Sequence, residues 1–156
     1  MPEDENLSSA LANTSESDDI DFKSSFDASS LRDWLEILKD IAAFANSGGG
    51  YILIGLNNDG TPSNSDISGL LAVDPADLGN RIHKHTGQHF SGVQLIGCEK
   101  SGHRICAIRV LPVHVILPCS FGHSANRVIS KPEVNNENQK RRNNGTVCLQ
   151  EVYVAF

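Results

Sequence analysis

The chain predicts a single α+β domain in which a mixed β-sheet carries two main helices. Three observations lead there. Apolar residues Leu31, Trp34, Leu35, Leu38, Ile41, Ala42 and Ala45 recur at three- and four-residue steps and stop at a glycine run, the period of one helical face. A short apolar run without alternation, Tyr51-Ile52-Leu53-Ile54, follows at once, as expected of a strand covered on both faces. Two further β-type runs, Val93–Cys98 and Arg104–Val110, flank Lys100-Ser101-Gly102-His103, which is hairpin chemistry.

The elements can be justified in order. Residues 1–14 are acidic and rich in Ser and Asn, which predicts a disordered tail. Ile20-Asp21-Phe22-Lys23 alternates and reads as a short strand. The first main helix is expected over about 29–46, with Ser29 or Ser30 as cap, because a hydroxyl there accepts an orphan amide of the first turn. Gly48-Gly49-Gly50 ends it, since glycine takes the left-handed exit conformation without penalty. Asn46 is placed to tie that exit down. The strand at about 50–56 runs into Asn57-Asn58-Asp59-Gly60, a turn composition. A long connection over 60–72 leads to Asp74-Pro75, a cap followed by proline at the first helical position, opening a helix to about His85. Val113–Leu117 extends the hairpin strand or starts another, residues 120–145 carry no clear pattern, and Thr146–Phe156 alternates weakly as a last strand. The division expected is thus a tail at 1–14, a domain at 15–118 and a C-terminal extension at 119–156.

Length and composition bound the function. The 156 residues suffice for one sizeable core. No apolar run approaches the roughly 18 residues of a membrane span, and the acidic start does not read as a secretory signal. Cys98, Cys106, Cys119 and Cys148 lie far apart with no CxxC pair. These features predict a cytoplasmic protein with free thiols and no membrane partner. Net charge is −6. Residues 1–27 hold eight of the nineteen acids and only Lys23 among thirteen bases, so the remainder is near neutral. That balance argues against a broadly basic nucleic-acid face. It leaves room for a local stripe, for which Lys131, Lys140, Arg141 and Arg142 are candidates. A solvated polar loop accounts for the same run.

Other motifs have competing explanations. The glycine run could cradle phosphate, but it follows a helix, whereas anion sites use the start of one. A helix cap and close backbone packing explain it better. His83, His85 and His89 cluster, yet no facing pair of ligands has finger-like spacing. They are expected as surface histidines near a helix end, where positive charge is favourable. Cys106 alternates with Ile108 and Val110 and is expected in the core.

Asp21-Phe22-Lys23, then a helix ending Ala43-Phe44-Ala45-Asn46-Ser47-Gly48-Gly49-Gly50, then Tyr51-Ile52-Leu53-Ile54-Gly55-Leu56 before an acidic turn, resembles the Schlafen AlbA-like domain family. The resemblance covers roughly residues 15–118. It implies a nucleic-acid-binding module for DNA or RNA, in some members a regulator, and paired lobes suggest a homodimer. It also implies an alternative. Some relatives cleave tRNA or rRNA as endoribonucleases through three carboxylates and a divalent metal. The matching positions here are Glu16, Asp21 and Asp59, which would act as catalytic residues holding Mg²⁺ or Mn²⁺, with Lys23 on the phosphate. Asp21 stands where the family usually has glutamate, shortening the reach by roughly 1.5 Å, a displacement that metal-assisted chemistry tolerates poorly. A non-catalytic interaction scaffold is the third reading.

Overall fold

The computed structural model describes residues 2–114, 118–119 and 127–128. In chain order they form α1 (Pro2–Ala12), β1 (Ile20–Lys23), α2 (Leu31–Asn46), β2 (Gly50–Ile54), α3 (Ser68–Leu71), α4 (Pro75–Thr86), β3 (Val93–Lys100), β4 (His103–Val110), β5 (Pro118–Cys119) and β6 (Arg127–Val128). A four-stranded sheet has the order β1-β2-β4-β3. β1 and β2 are parallel, whereas β2–β4 and β3–β4 are antiparallel. The fold is α+β, as expected.

β2 is central because its sequence is apolar on both faces. Ile52 and Ile54 join the layer under α2 and α4, while Leu53 turns to the opposite face. Ile52, Leu53 and Ile54 are fully buried, while Gly50 and Tyr51 at its start are partly exposed. α2 buries Trp34, Ile37, Leu38, Ile41, Ala42 and Ala45. Leu31, counted in the apolar stripe from spacing, is 65% exposed at the helix start, and Ile37 takes a core place instead. Ser30 is the cap, accepting the Asp33 N–H at 3.2 Å.

The helix-to-strand joint depends on two glycines. Gly49 has φ +90°, and a Cβ there would lie 2.7 Å from the Val110 carbonyl oxygen. A Cβ on Gly50 would strike the Asp19 carbonyl oxygen and come within 2.6 Å of the Phe44 ring. The Gly49 N–H donates to the Phe44 carbonyl at 2.7 Å, closing the helix end. Asp74 caps α4 through the Ala76 N–H at 2.7 Å. Ser101 (φ 52°) and Gly102 (φ 78°) turn the β3–β4 hairpin, two left-handed residues as a type I′ turn requires.

The acidic start differs from its expectation. Residues 2–12 form a helix, not an unstructured tail. Pro2 is its first residue, a position proline favours because its missing N–H has no partner there anyway. Leu7, Ala10 and Leu11, at three- and four-residue spacing, pack on Phe22, Leu53, Ile105 and Ala107 across the second sheet face. Composition concealed this short apolar face. α3 is also an addition within the long 60–72 connection. The segments 120–126 and 129–156, with the expected strand at 146–156 and the bases Lys131, Lys140, Arg141 and Arg142, lie outside the described residues.

Candidate functional site

β1 is an edge strand whose residues alternate between two environments. Ile20 and Phe22 face the α1 layer, which sends Asp21 and Lys23 to the α2 side. There the Lys23 ammonium meets Asp21 Oδ2 at 2.9 Å and Asp40 Oδ2 at 2.8 Å. Both oxygens are shut off from solvent and meet no further donor. Burial lowers the Lys23 pKa, but the bonds from Asp40 and then Asp21 outweigh it, so the ammonium is held well above its ordinary range. The Asp40 carboxyl is pushed up, chiefly by burial, with Lys23 opposing. One lysine therefore serves two carboxylates, and the group carries one excess negative charge.

Asp40 was missed from sequence. Its signal was a carboxylate spaced three from Ile37 and four from Phe44, inside an apolar stripe. An acid there needs a cation from a neighbouring element.

The three carboxylates implied by the family resemblance have separate tasks. Glu16 Oε1 accepts the Phe22 N–H at 3.2 Å, which satisfies a β1 amide. Asp21 is held by Lys23. Asp59 Oδ1 accepts the Thr61 N–H at 3.0 Å and its hydroxyl at 2.5 Å. Those bonds, the hydroxyl first, hold the Asp59 carboxyl below the usual range in a fully exposed turn. Among the described residues, no three of His, Cys, Asp and Glu gather as a metal would require. The structure thus brings Asp21 together with Asp40 and Lys23, and it does not assemble Glu16, Asp21 and Asp59 into a metal-holding group. Lys23, expected on phosphate, has its charge consumed by the two aspartates.

Elsewhere, Cys106 is buried. Burial first, and the Cys98 thiol second, push its pKa up to about 12, so it is an inert core thiol. His83 and His85 occupy the last turn of α4. An open cleft of about 230 Å³ between the 64–68 loop and the start of β4 mixes Asp66 with His103 and Arg104. Among the described residues, no helix is long and apolar enough to cross a membrane.

The strand order, the glycine joint and the acid-Phe-Lys edge define a Schlafen AlbA-type α+β domain. The model of the family "Schlafen, AlbA_2" matches residues 16–117, and the chain belongs to that family. Among solved structures, the chain is similar to the DIP2311 protein from Corynebacterium diphtheriae, with a TM-score of 0.57 and 15% identity. That likeness covers 82% of this chain and 24% of the other, so the chain spans about a quarter of that protein's length. No curated protein sequence matches the chain.

Proposed function

We propose that this domain binds nucleic acid through its phosphate backbone and does not cut it. Membership of the Schlafen AlbA_2 family supports binding. The separation of the carboxylates is what argues against cleavage. Glu16 serves a strand amide, Asp21 a lysine and Asp59 its own turn. A divalent metal acting on phosphate needs oxygen ligands converging on one point. Asp21 and Asp40 do converge, but on an ammonium that already fills the space between them.

Binding of duplex DNA and of tRNA across a salt series tests the proposal. A phosphate-contact module gives a log Kd that rises linearly with log salt, with a slope of about 0.9 per phosphate contacted on a duplex. Absence of binding at low salt leaves the interaction scaffold. Incubation with tRNA and Mn²⁺ tests the endoribonuclease directly. Cleavage that disappears in Asp21→Ala or Asp59→Ala would overturn the non-cutting half of the proposal.

A further inference from the structure

From Arg81 to Gly92 the chain carries one arginine, one lysine and three histidines and no carboxylate. The nearest acids in sequence are Asp77 and Glu99. This stretch is the last half of α4 and the loop after it. His83, Lys84 and His89 are exposed, while Arg81 and His85 are half-buried.

The arrangement is built by local structure. Gly87, at φ 73°, ends the helix, with its N–H on the His83 carbonyl at 2.8 Å. The buried Thr86 hydroxyl donates to the Ile82 carbonyl at 2.8 Å and accepts the Gln88 N–H at 3.1 Å. That anchor folds the loop back, and His89 stacks on His83 with ring centroids 4.0 Å apart and planes 5° apart. The Arg81 guanidinium lies 4.3 Å over the Trp34 ring of α2, which fixes its position.

Among the described residues, no carboxylate compensates these groups. None of the five is in an ion pair. The three acids of α2 are committed elsewhere, Asp33 to Ser30 and the Asp27 N–H, Glu36 to Lys39, and Asp40 to Lys23. Lys84 and Arg81 are the charges felt by His85, whose pKa is lowered by burial first and then by these two cations. Uncompensated cations on a surface are the electrostatic footprint of a polyanion partner.

We propose that Arg81, His83, Lys84, His85 and His89 form a proton-dependent contact surface for the phosphate backbone of a nucleic acid. This rests on the function proposed above and names the surface that carries it. Near neutral pH the patch has two permanent cations. Protonation of imidazoles on acidification adds to that charge, with His85 held back by burial and by Lys84 and Arg81. A phosphate strand across α4 then meets a more positive surface. Binding takes up protons, because the polyanion stabilises charged imidazoles.

The test uses the full chain and a short RNA duplex at about 50 mM salt, at about pH 5.5 and about pH 7.5. The wild type is expected to bind at least about tenfold more tightly at the lower pH. The triple variant His83→Gln/His85→Gln/His89→Gln is expected to lose that pH dependence and keep the pH 7.5 affinity. Lys84→Gln is expected to weaken binding at both pH values and reduce the salt slope by about one contact. Lys39→Gln, on α2 outside the patch, is the control and is expected to match the wild type. If the wild type binds RNA and the histidine triple variant keeps the full pH response, the surface is wrong while the proposed function stands. If the wild type binds no duplex RNA or DNA at either pH, both fall. Equal affinity for polyglutamate would assign the patch to acidic proteins and also overturn the proposal.

Discussion

The molecule has two charged regions built on opposite terms. At the β1 edge, Asp21, Lys23 and Asp40 are largely buried and satisfy one another. At the end of α4, Arg81, His83, Lys84, His85 and His89 lie at the surface without a counter-charge among the described residues. The first group includes Asp21 and Lys23, which the family resemblance named from sequence, and in space it joins them to Asp40. Its charges are spent on holding β1 to α2. The second reads as ordinary helix-end decoration, yet among the described residues its charge meets no counter-charge. Charge becomes functional where the fold leaves it uncompensated, and charged residue types alone do not decide which case applies.

The strongest way to break this contrast is Lys23→Met. It strands two carboxylates whose Oδ2 atoms are shut off from solvent, and removing one partner of a buried ion group costs about 3 kcal/mol. Urea unfolding at neutral pH should show that loss as a lower midpoint with an unchanged slope. A change below about 1 kcal/mol would mean that the clasp does not bind β1 to α2.

Asp40→Asn sharpens the same point with a smaller effect. It removes the excess negative charge and leaves Asp21 paired with Lys23, so stability at neutral pH should change by about 1 kcal/mol or less. The pH profile is more informative. Asp40 holds its proton more tightly when folded than when unfolded. Its ionisation therefore destabilises the fold above the raised folded pKa. That penalty is relieved as pH falls through it toward the ordinary aspartate value of about 3.9. Lys23, shifted upward, stays protonated in both states across this window, and its contribution fades only at alkaline pH. The wild type should thus gain stability relative to Asp40→Asn on acidification. Urea midpoints that keep a constant difference between neutral and acid pH would show that Asp40 does not titrate from a buried state.

Much of this was legible in sequence, and the exceptions have physical causes. The stripe from Trp34 to Ala45, the Gly49–Gly50 joint and the Ser101-Gly102 turn are local patterns whose meaning does not depend on distant residues. The β2 core position followed from its unbroken apolar run. The clasp was not legible because Asp40 is separated from Lys23 by a loop and a helix, and only the tertiary fold makes them neighbours. The same distance governs Glu16, Asp21 and Asp59. The family resemblance named them, and the fold sets their surroundings: strand alternation sends Asp21 toward α2, and Asp59 accepts bonds from Thr61 in its own turn. α1 was hidden for another reason: a few apolar residues among many polar ones do not move a composition.

Arg81 belongs to both halves of the contrast, since its guanidinium packs on Trp34 while its charge is felt by His85. Arg81→Ala should cost about 0.5–1 kcal/mol, the range of a cation–π contact near the surface. Arg81→Lys should recover the charge but only part of the stability, because an ammonium lacks the flat face that stacks on indole. Thermal unfolding of both variants separates these contributions.

The smallest expected effect is the most discriminating. Lys84→Gln removes an exposed, unpaired charge from a helix end, so stability should move by less than about 0.5 kcal/mol, as for surface changes outside any network. Its direction should be a slight loss, because a cation in the last turn of a helix is favoured by the macrodipole. A larger loss in thermal or urea unfolding would reveal a partner for Lys84 and make the α4 patch structural, like the β1 clasp. Near-unchanged stability combined with weakened RNA binding is the result that separates the two regions. Charge spent inside the fold registers in unfolding, whereas charge left at the surface registers only when a phosphate strand is supplied.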